Sequence, residues 1–186
     1  LTIDSVWEIP GQMELTLKYP NLEVQASLND SLLQHLSGGL AIPGPHISRL
    51  YRLLAARDFA GLKDLFHAFF ASIPHDWYRK NQLVSFEGYY ASIFYSYFAA
   101  LGLDIRLEDT TNHGRIDMAV LFNGEVLLFE FKVVELTPQG KALAQIKDKG
   151  YADKYKARCE PIHLIGVEFS RDSRNVVGFE LETLHV

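Results

Sequence analysis

The sequence predicts an α/β fold, and three stretches carry that prediction. Gly114 to Val134, GRIDMAVLFNGEVLLFEFKVV, reads as two apolar strands joined by Asn123-Gly124, a pair suited to a two-residue type I′ hairpin turn. A lysine-rich helical pattern follows, from Pro138 to about Arg158. Pro161 to Phe169 is then a nearly continuous apolar run, the pattern of a strand covered on both faces.

The 186 residues suffice for one sizeable domain, or one domain with a small appendage. A hydrophobic content of 48% and a charged content of 22% exclude a disordered chain. The net charge of −5 argues against a protein that coats nucleic acid through bulk electrostatics, while leaving room for a local basic strip. No apolar run reaches the length of a membrane span, and no signal peptide precedes the first strand. The single Cys159 excludes an internal disulfide framework and a cysteine-based zinc cluster, and points to a reducing cytoplasm. Because the chain opens on Leu1, the expectation is also that it is a piece of something longer.

Taken in order, Leu1 to Pro10 is an apolar opening compatible with a short strand. Met13, Leu15, Leu17 and Tyr19 alternate with Glu14, Thr16 and Lys18, which predicts a half-buried strand. Pro20-Asn21 stops it, and Asn21 can cap a helix through Leu36, with Gly38-Gly39 at its end. Gly38, Gly39 and Gly44 lack the G-x-x-x-x-G-K-[ST] spacing of a phosphate loop. Pro43 and Pro45 around Gly44 mark a boundary.

Two helices follow, Ile47 to Ala56 and Phe59 to Ile73, with Asp58 capping the second. Leu62, Leu65, Phe66, Phe69 and Phe70 form a core-facing stripe, and Pro74 closes the pair. The predicted division is therefore 1–73, a strand plus helical linker region, and 74–186, the α/β part. Leu83 to Leu101 reads as a long aromatic helix, ended by Gly102, and Leu103 to Leu107 starts the first core strand. At the other end, Arg171 to Ser173 turns the chain into a last strand near an edge, Val176 to Leu184.

Chemistry concentrates in the hairpin. The two-residue turn sets Asp117 opposite Glu130, with Cβ atoms roughly 5 Å apart. Lys132 falls on the same face, because strand side chains alternate. Two such carboxylates repel unless a cation lies between them or one takes up a proton. A hard ion such as Mg²⁺, which takes one or two carboxylates plus waters, would relieve them. Lys132 could then orient or deprotonate an attacking water, or hold a phosphate. The competing account is a structural Lys132–Glu130 salt bridge with Asp117 at a strand end. Charges inside apolar strands are seldom kept without a task, which favours the metal site.

Other charges lie nearby. Arg115 falls in register with Lys132, where it can touch phosphate or balance Asp117. The stretch from Pro138 to Arg158 carries a net charge of +4. Gln145, Lys149, Ala152 and Lys156 would share one helical stripe, either a seat for a phosphate backbone or a solvated face.

Asp117, twelve intervening residues and then Glu130-Phe131-Lys132 resembles the PD-(D/E)XK nuclease superfamily, with Ile116 in place of the proline. More narrowly, GRIDMAVLFNGEVLLFEFK followed by ALAQIKDKGYADKY is similar to the nuclease-like domain found C-terminal to an AAA-ATPase-like domain in bacterial and archaeal proteins. The segment LTLKYPNLEVQASL resembles the strand and helix that link those two parts. The resemblance implies a restriction-endonuclease-like αβββαβ core with a mixed central sheet. It also implies hydrolysis of phosphodiester bonds in nucleic acid, DNA in the first place, by an endonuclease or exonuclease. Mg²⁺ is the implied cofactor, with Mn²⁺ able to substitute, and an upstream ATPase-like domain of the same protein is the implied partner.

Carried onto this chain, the resemblance makes Asp117, Glu130, Lys132 and Gln145 catalytic. Asp117 and Glu130 are metal ligands, joined by Glu87 and the Phe131 carbonyl. Arg115, Lys149 and Lys156 are the nucleic-acid contacts. Glu87 has a second reading as a solvated helix-start carboxylate favoured by the macrodipole. Gln145 matches the glutamine of helicase-associated members, whereas Lys149 stands where those carry tyrosine.

The seven histidines show no H-E-x-x-H spacing, and His113 reads as a polar turn residue. No G-x-S-x-G elbow is present. The rival class is a catalytically inactive nuclease-fold module that binds a protein or nucleic-acid partner.

Overall fold

In the computed structural model, which describes residues 1–36, 44–73, 87–157 and 161–185, the hairpin turn sets the architecture. Asn123 and Gly124 both take positive φ, 50° and 78°, as a type I′ turn requires. Strand β4 (Gly114–Phe122) therefore pairs antiparallel with β5 (Glu125–Val134) in the predicted register, from Phe122↔Glu125 to Met118↔Phe129. The ladder ends there, one pair before Asp117 and Glu130.

Strand β3 (Asp104–Thr111) flanks β4, and β6 (Ile162–Ser170) flanks β5. Strand β7 (Asn175–Leu184) forms the other edge, so the order is β3-β4-β5-β6-β7. Only β5 and β6 run parallel, because a helical crossover joins them; the sheet is mixed. Every residue of β6 is buried, as its continuous apolar run predicts.

Alternation in β5 and β6 splits the core in two. Leu127, Phe129, Phe131, Ile165, Val167 and Phe169 face the first layer, made of helices α2 (Gly44–Ala55), α3 (Phe59–Ser72) and α4 (Glu87–Ala99). Leu128, Leu164 and Ile162 face the second layer, around helix α5 (Lys141–Asp148) and the one-turn α6 (Asp153–Lys156). Aromatic rings lock the first layer: Phe94 lies 5.0 Å from Phe131, and Tyr90 stacks on Phe169 at 4.0 Å. The predicted stripe of α3 is buried in this layer, and Asp58 caps α3 by accepting from Gly61 N at 2.8 Å.

Three expectations are corrected. The lysine-rich stretch is not one helix: Gly150 takes φ 57° and stops α5. Tyr151 N then donates to Ile146 O at 3.3 Å and Gly150 N to Lys147 O at 3.0 Å, a Schellman closure. The predicted stripe from Gln145 to Lys156 is thereby broken, with Ala152 buried and Lys156 ion-paired to Asp153 at 2.6 Å. Second, the strand from Met13 is not half-buried. It forms β2 (Gln12–Lys18), pairs with β1 (Thr2–Ile9) in a separate two-stranded sheet, and is exposed at every position. No described element covers this ribbon, so alternation here gives two faces without a core. Third, α2 begins at Gly44, inside the predicted boundary. Helix α1 (Leu22–Leu36) follows the sequence, with Asn21 Oδ1 accepting from Val24 N at 2.9 Å. Gly38-Gly39, Pro74 and the Leu83–Phe86 start of the aromatic helix lie outside the described residues.

Candidate active site

Asp117 stands where β4 leaves its ladders. On one side, pairing with β3 skips from Leu107↔Met118 to Asp109↔Ile116, and the residue between, Glu108, has φ 50°. On the other side, pairing with β5 has ended. Ile116 accordingly joins Ala119 in the α5 layer, which unbroken alternation would forbid. The gap is closed by the side chain itself: Asp117 Oδ2 accepts from Phe131 N at 2.8 Å. Phe131 is fixed in turn by its buried ring against Phe94.

Glu130 is 1% exposed. Its Oε1 accepts from Lys132 Nζ at 3.2 Å and from Gln145 Nε2. Its Oε2 is buried and has no partner among the described residues. Burial pushes the Glu130 carboxyl up to about 7, and the neighbouring Asp117 charge adds to the rise. Burial likewise raises Asp117, against the lowering influence of the Phe131 N–H and of Lys132. For Lys132, burial works downward but the carboxylates of Glu130 and Glu87 outweigh it, so the ammonium is held more firmly than usual.

Glu87, the first residue of α4, turns toward the same place. Its Oε2 lies 3.5 Å from Lys132 Nζ and its Oε1 accepts from Val133 N at 3.4 Å. A cavity of about 430 Å³ opens beside this group. Its wall includes Glu87, Ser92, Tyr95, Glu108, Arg115 and Asp117.

The structure thus brings Asp117, Glu130, Lys132, Gln145 and Glu87 together. Arg115 is on the cavity wall, but its guanidinium pairs with Glu108 rather than with Asp117. Lys149 is exposed at the C-terminal end of α5, and Lys156 sits apart on α6. Sequence reasoning passed over Glu108. Its left-handed backbone breaks the β3 ladder beside Asp117, and no motif marks that position.

The donor set suits a hard divalent cation. Both carboxylates are desolvated, the Asp117 charge raises Glu130, and one Glu130 oxygen is buried without a hydrogen bond among the described residues, a costly state that a cation relieves. Among the described residues no group of three or more His, Cys, Asp and Glu side chains is arranged to hold a metal. Glu87 faces Lys132, which leaves Asp117 and Glu130 as the side-chain donors, in line with the Mg²⁺ habit of few carboxylates and several waters.

Comparison with known proteins bears on this geometry. The family model of the PD-(D/E)XK nuclease superfamily matches residues 85–179, the span from the start of α4 into β7. The mixed sheet and its flanking helices accord with the restriction-endonuclease-like fold. The chain is also 67% identical over 184 residues to an uncharacterized protein in the vnfD 5′ region of Azotobacter chroococcum mcd 1. That alignment covers 99% of this chain and 36% of the relative, so the chain spans about a third of the relative's length. No solved structure matches. No helix among the described residues is long and apolar enough to cross a membrane.

Proposed function

The chain belongs to the PD-(D/E)XK nuclease superfamily, and from that premise we propose a Mg²⁺-dependent nuclease that hydrolyses phosphodiester bonds of nucleic acid, DNA in the first place. The observation that carries this reading is the Glu130 carboxylate, buried beside Asp117 with one oxygen lacking a partner among the described residues. Asp117 and Glu130 would hold the cation. When bound, a divalent ion supplies Lewis acidity and an acidified water, and Mn²⁺ can take its place.

The chain's own residues do the rest. Lys132 keeps its proton, so it donates to a phosphate oxygen or to the incoming water rather than acting as the base. Gln145 holds Glu130 Oε1 and leaves Oε2 for the cation. Glu87 steadies Lys132, and it joins the metal donors only by releasing that ammonium. Arg115, at the cavity wall, reaches a backbone phosphate by exchanging it for Glu108. Lys149, at the C-terminal end of α5, and Lys156, by exchanging Asp153, would meet nucleic acid farther out.

The test is divalent-dependent nicking by the wild-type chain, Asp117→Ala and Lys132→Ala. Loss in both variants supports the assignment, and unchanged activity in both discards it. A second reading, a nuclease-fold module that binds without cleaving, is favoured by one observation: no three-carboxylate group is preassembled among the described residues. Substrate binding without cleavage under any divalent ion would select it.

The same reading makes the chain the C-terminal part of a longer cytoplasmic protein with an ATPase-like partner upstream. Exposed apolar surface supports it. Ile3 pairs with Leu17 and Val6 with Leu15 across the β1–β2 ribbon, all about half exposed. Val24, Leu28 and Leu32 line an open stripe of α1, while Asn29 of the same helix is buried. The proposed boundary at 73/74 separates roles rather than cores, since α2 and α3 share one buried cluster with α4 and the sheet. Binding of a separately expressed upstream part to this chain, lost in Leu28→Asp, would support the docking; binding unchanged in that variant would reject it.

A further inference from the structure

The parallel register of β5 and β6 places Gly166 beside Glu130 and Glu168 beside Lys132. The β6–β7 register continues both rows, to Glu180 and Gly178. All six side-chain positions point to the face covered by α5, because residues of one row share a face. The site carboxylate and the site lysine therefore each head a row that passes under the helix carrying Gln145.

Each row does something distinct to that helix. At Gly166 an added Cβ would overlap the Leu143 amide nitrogen and stand 2.8 Å from Leu143 Cα and Cβ, so the α5 backbone lies directly on the strand. In the other row Glu168 is 2% exposed, within a strand that is otherwise almost wholly apolar. Its Oε2 accepts from Gln139 N at 2.5 Å and Gly140 N at 3.2 Å. Its Oε1 accepts from Lys141 N at 2.7 Å and Ala142 N at 3.3 Å. Gly178, opposite Glu168, leaves room for this: a Cβ there would fall 3.1 Å from Glu168 Cβ and 3.3 Å from Oε2.

A helix leaves its first four N–H groups without internal partners, and a side chain at the N-cap normally serves one of them. Here the N-cap is Gly140, in the left-handed conformation and without a side chain. The carboxylate that serves the helix comes instead from the strand next to the site. Gly166 sets how close α5 lies, and Glu168 sets where along the strand it begins. A rise of 1.5 Å per residue makes the start of a helix the ruler for every later side chain. Four residues beyond Lys141, Gln145 meets Glu130 Oε1.

We propose that Glu168 is a positioning residue of the site, which fixes α5 so that the Gln145 amide reaches Glu130. Its catalytic meaning rests on the nuclease reading above; its geometry does not.

The test uses Glu168→Gln, which keeps the shape of the side chain but loses the charge and one acceptor oxygen. Gly178→Ala is the second variant, pressing the carboxylate from outside by a few tenths of an ångström while leaving it in place. The first readout is the Gln145 side-chain NH₂ signal in ¹⁵N spectra of the metal-free chain, identified by its absence in Gln145→Ala. In both variants it is expected to move toward the position of a free amide, with signals of β5 and β6 retained. The second readout is cleavage. Glu168→Gln is expected to slow it roughly ten- to hundredfold, as loss of an outer-shell support does. Combined with Gln145→Ala it should add no further loss.

An unmoved Gln145 signal in both variants overturns the proposal, as do losses from Glu168→Gln and Gln145→Ala that multiply independently. Collapse of the fold in both variants overturns it as well, since Glu168 would then be structural. Should no form of the chain cleave nucleic acid, the nuclease reading fails, and the amide signal alone decides this one.

Discussion

The Asp117 carboxylate accepts a hydrogen bond from the Phe131 backbone N–H at 2.8 Å, beyond the point where the β4–β5 ladder has ended. A side chain thus replaces a strand carbonyl, and it does so beside the buried Glu130. The sheet opens at the place where two acids must be kept close, and the bond to Phe131 holds one of them while leaving it desolvated. Conformation and electrostatics are joined in that one contact.

The first prediction concerns pH. Burial holds the Glu130 carboxyl up to about 7 in the fold against an ordinary value of 4.5, so the folded chain binds more protons between those limits. Stability from this group is therefore present below about 4.5 and lost as pH rises through about 7, on the order of 3 kcal/mol in all. Thermal unfolding in a chelator should show a lower midpoint at pH 8 than at pH 5. Glu130→Gln should remove that part of the slope.

A second prediction concerns the other end of the hairpin. Glu125 is held by Arg57 Nε at 2.6 Å and His163 Nε2 at 2.9 Å, and His163 Nδ1 meets Thr183 Oγ1 at 2.9 Å. Burial raises the Glu125 carboxyl, but these partners outweigh it and the result is a lowered value. Glu125→Ala strands a buried imidazole and should cost about 2 kcal/mol in urea unfolding. Cleavage by the folded variant should be unchanged, because the cluster lies at the turn and away from Asp117.

Gly150→Ala tests the broken helix. A side chain at φ 57° is disfavoured by about 1–2 kcal/mol, and urea denaturation should show a loss of that size. Were residues 141–158 one continuous helix, the same change would stabilise the chain.

Leu15→Ser and Leu28→Ser probe the exposed N-terminal surface. Leu15 is 47% exposed and Leu28 42%, so each change should alter stability by less than about 0.5 kcal/mol. A loss of several times that size in either variant would mean that the residue is part of the core.

Much of this was legible in the sequence, and the limits have physical causes. Asn123-Gly124 admits few turn types, so the register from Phe122↔Glu125 to Met118↔Phe129 followed from two residues; the end of the ladder at Asp117 did not, because it depends on the Glu108 break in the neighbouring strand. The burial of β6 followed from its unbroken apolar run. The break after Lys149 did not, because a glycine inside a lysine-rich stretch is tolerated by a helix as readily as it ends one. The exposed ribbon misled because alternation reports two unlike faces and says nothing of what covers them. Glu168 carried a signal that went unused: it is an acid inside the apolar run Pro161–Phe169, the same feature that drew attention to Glu130.

The central claim is that Asp117 and Glu130 share a divalent cation. Titration calorimetry of the chain with Mn²⁺ tests it most directly, with Asp117→Asn as the comparison. The account predicts saturable uptake by the wild-type chain that Asp117→Asn abolishes. Absence of uptake in the wild type, or equal uptake in the variant, would contradict it.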